Sequence, residues 1–239
     1  MMKKRWVATA GIVLATTTSS AVAAVGHEWW SGVRSYVGAD AQVRRMDFKG
    51  GYGDNLLQHH SPQGNLYGGL KFTPTLGVEF GYEATTTRTR TATLTTGDIS
   101  NGATISEMIS PAVFKSKQKI KGPHVDLVGY YSFYEDSPFQ LVGSIGAAVL
   151  KATFERKTLS LHGVPSTIVR KLSLHKTVLR LMGGLQYGLS ENLGARFSLG
   201  WVNTSRMVIY ATDGMPSPYT PAVKPKNSFV YGIGMLWTF

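Results

Sequence analysis

The residues of this chain best suited to acid-base or metal chemistry are its six histidines, His27, His59, His60, His124, His162 and His175. His59 and His60 are adjacent, with Asp54 nearby, and are the best candidates for a metal ligand or a catalytic base. Neighbouring side chains on extended backbone point to opposite sides, however, which makes a poor chelate. They read as solvated loop residues. His124 and Asp126 share one face of "HVDLVGYYSF", and His175 stands near the end of another apolar-alternating stretch. A hydrolytic site needs nucleophile, base and orienting acid within hydrogen-bond reach. Neither histidine has a serine at a recognisable spacing, and the chain lacks Gly-x-Ser-x-Gly, a P-loop, His-Glu-x-x-His and an EF-hand loop. No catalytic residue, metal site or cofactor is expected.

Charge offers a second chemistry. From Arg88 to Lys121 there are six basic and two acidic residues, and from Lys151 to Lys176 six basic and one acidic, giving +4 and +5. Arg88, Arg90, Lys115, Lys117, Lys119, Arg156, Lys157, Arg170 and Lys171 carry this surface charge. Clustered cations of this kind attract phosphate-bearing partners.

The elements that hold these residues are strands. The 239 residues suit one domain or at most two. Mean hydropathy is −0.05, and no run approaches the ~20 apolar residues of a membrane helix. Residues 1–24 read as a signal peptide: Lys3, Lys4 and Arg5, then an apolar stretch from Trp6 to Ala15, then Ala21-Val22-Ala23 before a cleavage site. Export makes nucleic acid an unsuitable partner, despite a pI of about 9.8. With no cysteines, an exported chain needs another source of stability, and a closed barrel with every backbone group paired supplies one.

Apolar residues recur at period 2 in eight stretches of about ten residues. They are "SYVGADAQVR", "NLYGGLKF", "LGVEFGYE", "HVDLVGYYSF", "FQLVGSIGAAVL", "KTVLRLMGGLQYGL", "LGARFSLGWVN" and "NSFVYGIGMLWTF". Thr73-Pro74-Thr75, Glu135-Asp136-Ser137-Pro138 and Ser190-Glu191-Asn192 are short connections, whereas 47–64, 85–121, 152–174 and 203–226 are long and polar. The expected fold is all-β, an eight-stranded antiparallel up-and-down transmembrane β-barrel with short periplasmic turns and four long extracellular loops. Its organisation is a 1–24 signal peptide, a 25–34 periplasmic leader bearing Trp29 and Trp30, and a 35–239 barrel.

The bulky face of these strands carries Phe72, Phe133, Tyr187, Trp201, Tyr231, Trp237 and Phe239, expected to face lipid or its interfaces. The other face is too rich in glycine and serine to be the hydrated outside of a soluble barrel. It suits the crowded lumen of a narrow one. Arg44, Lys71, Glu79, Glu83, Asp126, Lys176, Arg180 and Arg196 lie on it in both signs and are expected to form a salt-bridged plug, with Lys71 reaching Glu79 diagonally across a hairpin. In the second long loop, Thr87, Thr89, Thr91, Thr93 and Thr95 alternate ahead of Asn101-Gly102, which predicts a hairpin above the membrane with an edge open to another strand.

"SYVGADAQ", "NLYGGLKFTPTLGVEFGYE" and "FVYGIGMLWTF" together resemble the OmpA-like and opacity-type small outer-membrane β-barrels over nearly the whole mature chain. The resemblance implies location in a Gram-negative outer membrane and roles as structural barrel, surface antigen or adhesin, without naming a ligand. It also implies that the terminal aromatic strand is read by the barrel-assembly machinery. With the last strand of the barrel ending on Phe239, no peptidoglycan-binding domain is expected to follow. The expected partners are outer-membrane lipid, lipopolysaccharide and a host or extracellular protein ligand. The alternatives are an outer-membrane enzyme acting on lipid A or peptides, and a narrow, porin-like pore.

Overall fold

The structure, a computed structural model, describes residues 32–49, 58–94, 99–100, 103–104, 112–134, 137–161, 164–165, 169–205, 207, 209–210 and 222–239. The signal peptide, Trp29, Trp30, Asp54 and Asn101-Gly102 lie outside the described residues. Eight strands form the barrel: β1 (Arg34–Lys49), β2 (His60–Lys71), β3 (Leu76–Thr85), β7 (Ala112–Ser132), β8 (Phe139–Leu161), β10 (Val169–Gly188), β11 (Leu193–Val202) and β13 (Ala222–Thr238). Each pairs antiparallel with its neighbours in chain order, β7 pairs β8, and β13 closes on β1 from Tyr36↔Thr238 to Lys49↔Lys224. Closure leaves no free edge in this wall, the condition for placing backbone in hydrocarbon. Minor strands are β4 (Arg88–Leu94), β5 (Ile99–Ser100), β6 (Ala103–Thr104), β9 (Val164–Pro165) and β12 (Ile209–Tyr210).

Strand lengths depart from the sequence expectation. β7 and β8 span 21 and 23 residues, against 10 each for β3 and β11. Much of 85–121 and 152–174 is therefore ladder rather than loop. β4 continues along the same edge of β7 as β3, with Arg88↔Gln118 to Leu94↔Ala112 in register. Thr85 bridges the break between β3 and β4. Its Oγ1 donates to the Ile120 carbonyl at 3.1 Å and accepts from the Ile120 amide at 2.8 Å. The wall formed by β4, β7, β8 and β10 thus rises above the rest of the rim.

At the other end, turns are short and locally satisfied. The Thr73 hydroxyl accepts the Leu76 amide at 2.9 Å, and the Ser190 hydroxyl accepts the Leu193 amide at 3.1 Å. Both are side-chain bonds of the kind that stabilise tight turns.

Side-chain parity sorts the two faces. Leu66, Phe80, Leu127, Ile145, Leu199, Tyr231, Ile233 and Met235 are exposed on the outside. Trp237, Phe239, Phe72, Phe133 and Tyr187 are also exposed, close to the short turns, and Trp201 stands half-buried opposite Phe229 near the long-loop end. Inside, glycine and tyrosine trade space across β1 and β2. Gly38 pairs with Tyr67, and Tyr36 with Gly69. A Cβ at either glycine would fall within the facing ring. Each ring thus fills the space beside a neighbouring-strand glycine, a device that pins register.

Candidate functional site

The lumen is stacked in layers. Nearest the short turns, Arg196 Nη1 donates to Glu79 Oε1 at 2.6 Å, Tyr36 OH donates to the same oxygen at 2.8 Å, and the Tyr36 and Tyr130 hydroxyls are 2.6 Å apart. Lys71 does not reach Glu79. Its ammonium lies over the Tyr130 ring, 4.3 Å from the centroid, while Glu79 is held by Arg196. The register does set Lys71 diagonal to Glu79, with Lys71 opposite Gly77 and Glu79 opposite Gly69. The pair does not form because Arg196 and the Tyr36 hydroxyl already hold Glu79 and the Lys71 ammonium settles on the Tyr130 ring.

The next layer is a continuous circuit of polar side chains. Arg44 and Arg180 both bind Glu83, the latter at 2.6 Å, and all three side chains are at most 3% exposed. Gln63 accepts from Arg44 Nε at 2.8 Å and donates to Gln42 Oε1 at 2.8 Å. Gln42 and Asn65 donate to Asp40 at 3.0 and 3.2 Å. His124 touches Asn65 through Nε2 at 2.9 Å and Asp126 through Nδ1 at 2.8 Å, and Arg180 Nε lies 3.4 Å from Asp126. Among the described residues, three lumen carboxylates (Glu79, Glu83 and Asp126) thus meet three guanidinium groups and one imidazole, while Asp40 is held by the side-chain amides of Gln42 and Asn65. Buried charges persist only with such partners.

Above this circuit the lumen turns apolar. Met46, Phe48, Ile120, Leu150, Phe154, Val178, Val202, Met207 and Val230 pack together, nearly all without solvent contact. Lys176 belongs by register to the same inward parity, opposite Leu150, yet it is exposed and forms no ion pair with any described residue. It is not part of the charged network, because the space beside it is occupied by this apolar cluster. The lumen is therefore plugged twice, by charge pairs and then by hydrocarbon.

The basic residues lie on strands rather than in loops. Register places Lys121, Lys151 and His175 in one outward row, followed by Lys119, Thr153 and Ser173, then Lys117, Glu155 and Lys171, then Lys115 and Lys157. Lys117 Nζ binds Glu155 at 3.0 Å. One outward row, containing Val149 and Thr177, separates this first row from the lipid-facing row of Val125, Ala147 and Leu179. From Lys121 to Lys115 the wall climbs roughly 20 Å, at about 3.3 Å per residue. Arg88 and Arg90 stand on the inward parity, opposite Gln118 and Ser116. Of Arg156 and Arg170 only the backbone is described, and they pair with each other.

A major outer membrane protein of Thermus thermophilus superposes with a TM-score of 0.52 at 15% identity, covering 85% of this chain and 99% of that one. Neisserial surface protein A gives 0.50 at 14% identity, covering 87% and 100%. The fold is that of the small eight-stranded outer-membrane barrels. Ail of Yersinia pestis, solved in complex with the heparin analogue sucrose octasulfate, is similar at 16% identity and TM-score 0.45, covering 87% and 99%. No family model and no curated protein matches the sequence.

Within this eight-stranded barrel the four described histidines are dispersed. His124 is buried, its Nε2 2.9 Å from Asn65 and its Nδ1 2.8 Å from Asp126 but outside hydrogen-bond geometry, His59 lies 3.2 Å from Asp47 at the far end of β1, and His60 and His175 are exposed. His124 was visible in the sequence as a lumen-face residue, but its contact with Asn65 runs across Gly81 of the intervening β3, which only the pairing of β2, β3 and β7 reveals.

Proposed function

We propose that this protein is an exported outer-membrane barrel with structural and surface-contact roles, and that it meets its surroundings through the lysine wall of β7, β8 and β10. The observation that carries this reading is the register. It gathers Lys115, Lys117, Lys119, Lys121, Lys151, Lys157 and Lys171 on one outward face with Glu155 among them. That face begins where the apolar belt ends, at the depth of the phosphates of lipopolysaccharide. Each such lysine near an anionic surface contributes ~1 kcal/mol, weakened by salt.

The test is a titration of the nanodisc-embedded barrel with phosphorylated core oligosaccharide released from lipopolysaccharide. Replacing Lys117, Lys119 and Lys121 with glutamine removes three such contributions and is expected to weaken binding ~100-fold at low salt. Unchanged affinity, or binding indifferent to salt, would discard the reading.

A second reading rests on β4. It ends the strand order of the tall wall, and its alternating Thr89, Thr91 and Thr93 make a β-prone edge for strand addition by an extracellular protein. The two plugs of the lumen argue against a pore. In planar bilayers the purified barrel is expected to show no unitary conductance steps. Regular steps would mean that the Leu150 and Val202 layer opens.

A further inference from the structure

A bowl of about 200 Å³ opens at the short-turn mouth of the lumen, below the Glu79–Arg196 layer and far from the lysine wall. Arg34 and Lys71 face into it, directly opposite each other in the β1–β2 ladder. Like charges at such positions repel. The nearest inward carboxylate, Glu79, is already occupied by Arg196 and the Tyr36 hydroxyl. Neither Arg34 nor Lys71 forms an ion pair with a described residue, and the Tyr130 ring under Lys71 offsets only part of one charge. Glu191, the one carboxylate among the described lining residues, sits exposed on the rim. Pro138, Leu193 and Leu236 add an apolar stretch of wall.

We propose that this bowl binds a carboxylate ligand with a short aliphatic stem, either a free dicarboxylate or the acidic side chain of a peptide on the periplasmic side. Arg34 presents a planar fork suited to a carboxylate, and Lys71 supplies a second point charge. The stem lies against Leu193 and Leu236. The volume equals that of six or seven waters at ~30 Å³ each, so only a small group enters. Two opposed cations in a concave site are relieved when such an anion arrives.

The folded protein in nanodiscs is titrated with glutarate, with the capped peptide acetyl-Ala-Glu-Ala-amide, with glutaramide and with inorganic phosphate, following the amide resonances of Gly188, Gly194 and Thr238. Saturable shifts with glutarate or the peptide and none with glutaramide are expected. The tighter of the two binders identifies the source as free diacid or peptide. Arg34→Gln is expected to weaken binding tenfold or more, while a lysine-wall variant, Lys117→Gln, leaves it unchanged. Lys71→Met, which removes the charge but keeps an unbranched side chain, should act like Arg34→Gln and provides a second variant should the first fail to fold. Absence of saturable shifts, unchanged affinity in both mouth variants, or phosphate binding as tightly as glutarate would overturn the assignment.

Discussion

Glu83→Ala is expected to destabilise the barrel by at least about 3–5 kcal/mol, the cost of leaving a buried charge without its partner. The loss here is compounded, because Glu83 is the shared acceptor of Arg44 and Arg180, and both guanidinium groups remain inside when it goes. Arg44 is 1% exposed and has only Gln63 and Ser228 left, the latter at 3.5 Å. Urea unfolding of the refolded protein, followed by the heat-dependent gel shift, measures the change. Replacing the trio together by Arg44→Met, Glu83→Leu and Arg180→Met should recover part of the loss, since no buried guanidinium is left stranded, although Gln63 loses its Arg44 donor and Asp126 its Arg180 neighbour. A loss below about 1 kcal/mol for Glu83→Ala would mean that water reaches these arginines and that the lumen is not sealed.

Ile233→Arg is the second large effect, expected to cost about 2–4 kcal/mol in a bilayer. Ile233 is 66% exposed, and on a soluble protein such a site would tolerate arginine within about 0.5 kcal/mol. It lies midway along β13 between Phe229 and Trp237, with Ala41 and Phe197 as cross-strand neighbours. That places the guanidinium at the depth where lipid is least forgiving. Ser173→Arg, outward on the same barrel but in the basic wall above the belt, should be close to neutral. Equal tolerance at the two positions would remove the lipid from the picture.

The two faces were legible in the sequence because strand side chains alternate with a period of two, so one buried and one exposed residue recur whatever the partner strand. Val37, Val78, Leu127 and Tyr231 announced the outside, and Arg44, Glu83, Asp126 and Arg196 the inside. The partners inside were less legible. Lys71 and Glu79 looked like a pair from one hairpin, but Arg196, 117 residues away, holds Glu79. Stagger between distant strands decides such contacts, and no local pattern records it.

The apolar upper plug was also hidden in plain view. Leu150 falls on the inward face of its strand, and residues such as Met46, Ile120 and Val202 lie where the strand pattern gives way to polar stretches. Leu150 and these three belong together only because eight strands bring their inward positions to one level. The period of two and the alternation of short and long connections were enough to determine an eight-stranded barrel with an apolar outside. Tertiary structure decided how far β7 and β8 extend, which carboxylate each arginine meets, and that the lysines form a wall. Each of these depends on the register between strands, set by closure of the whole sheet rather than by any one segment of it.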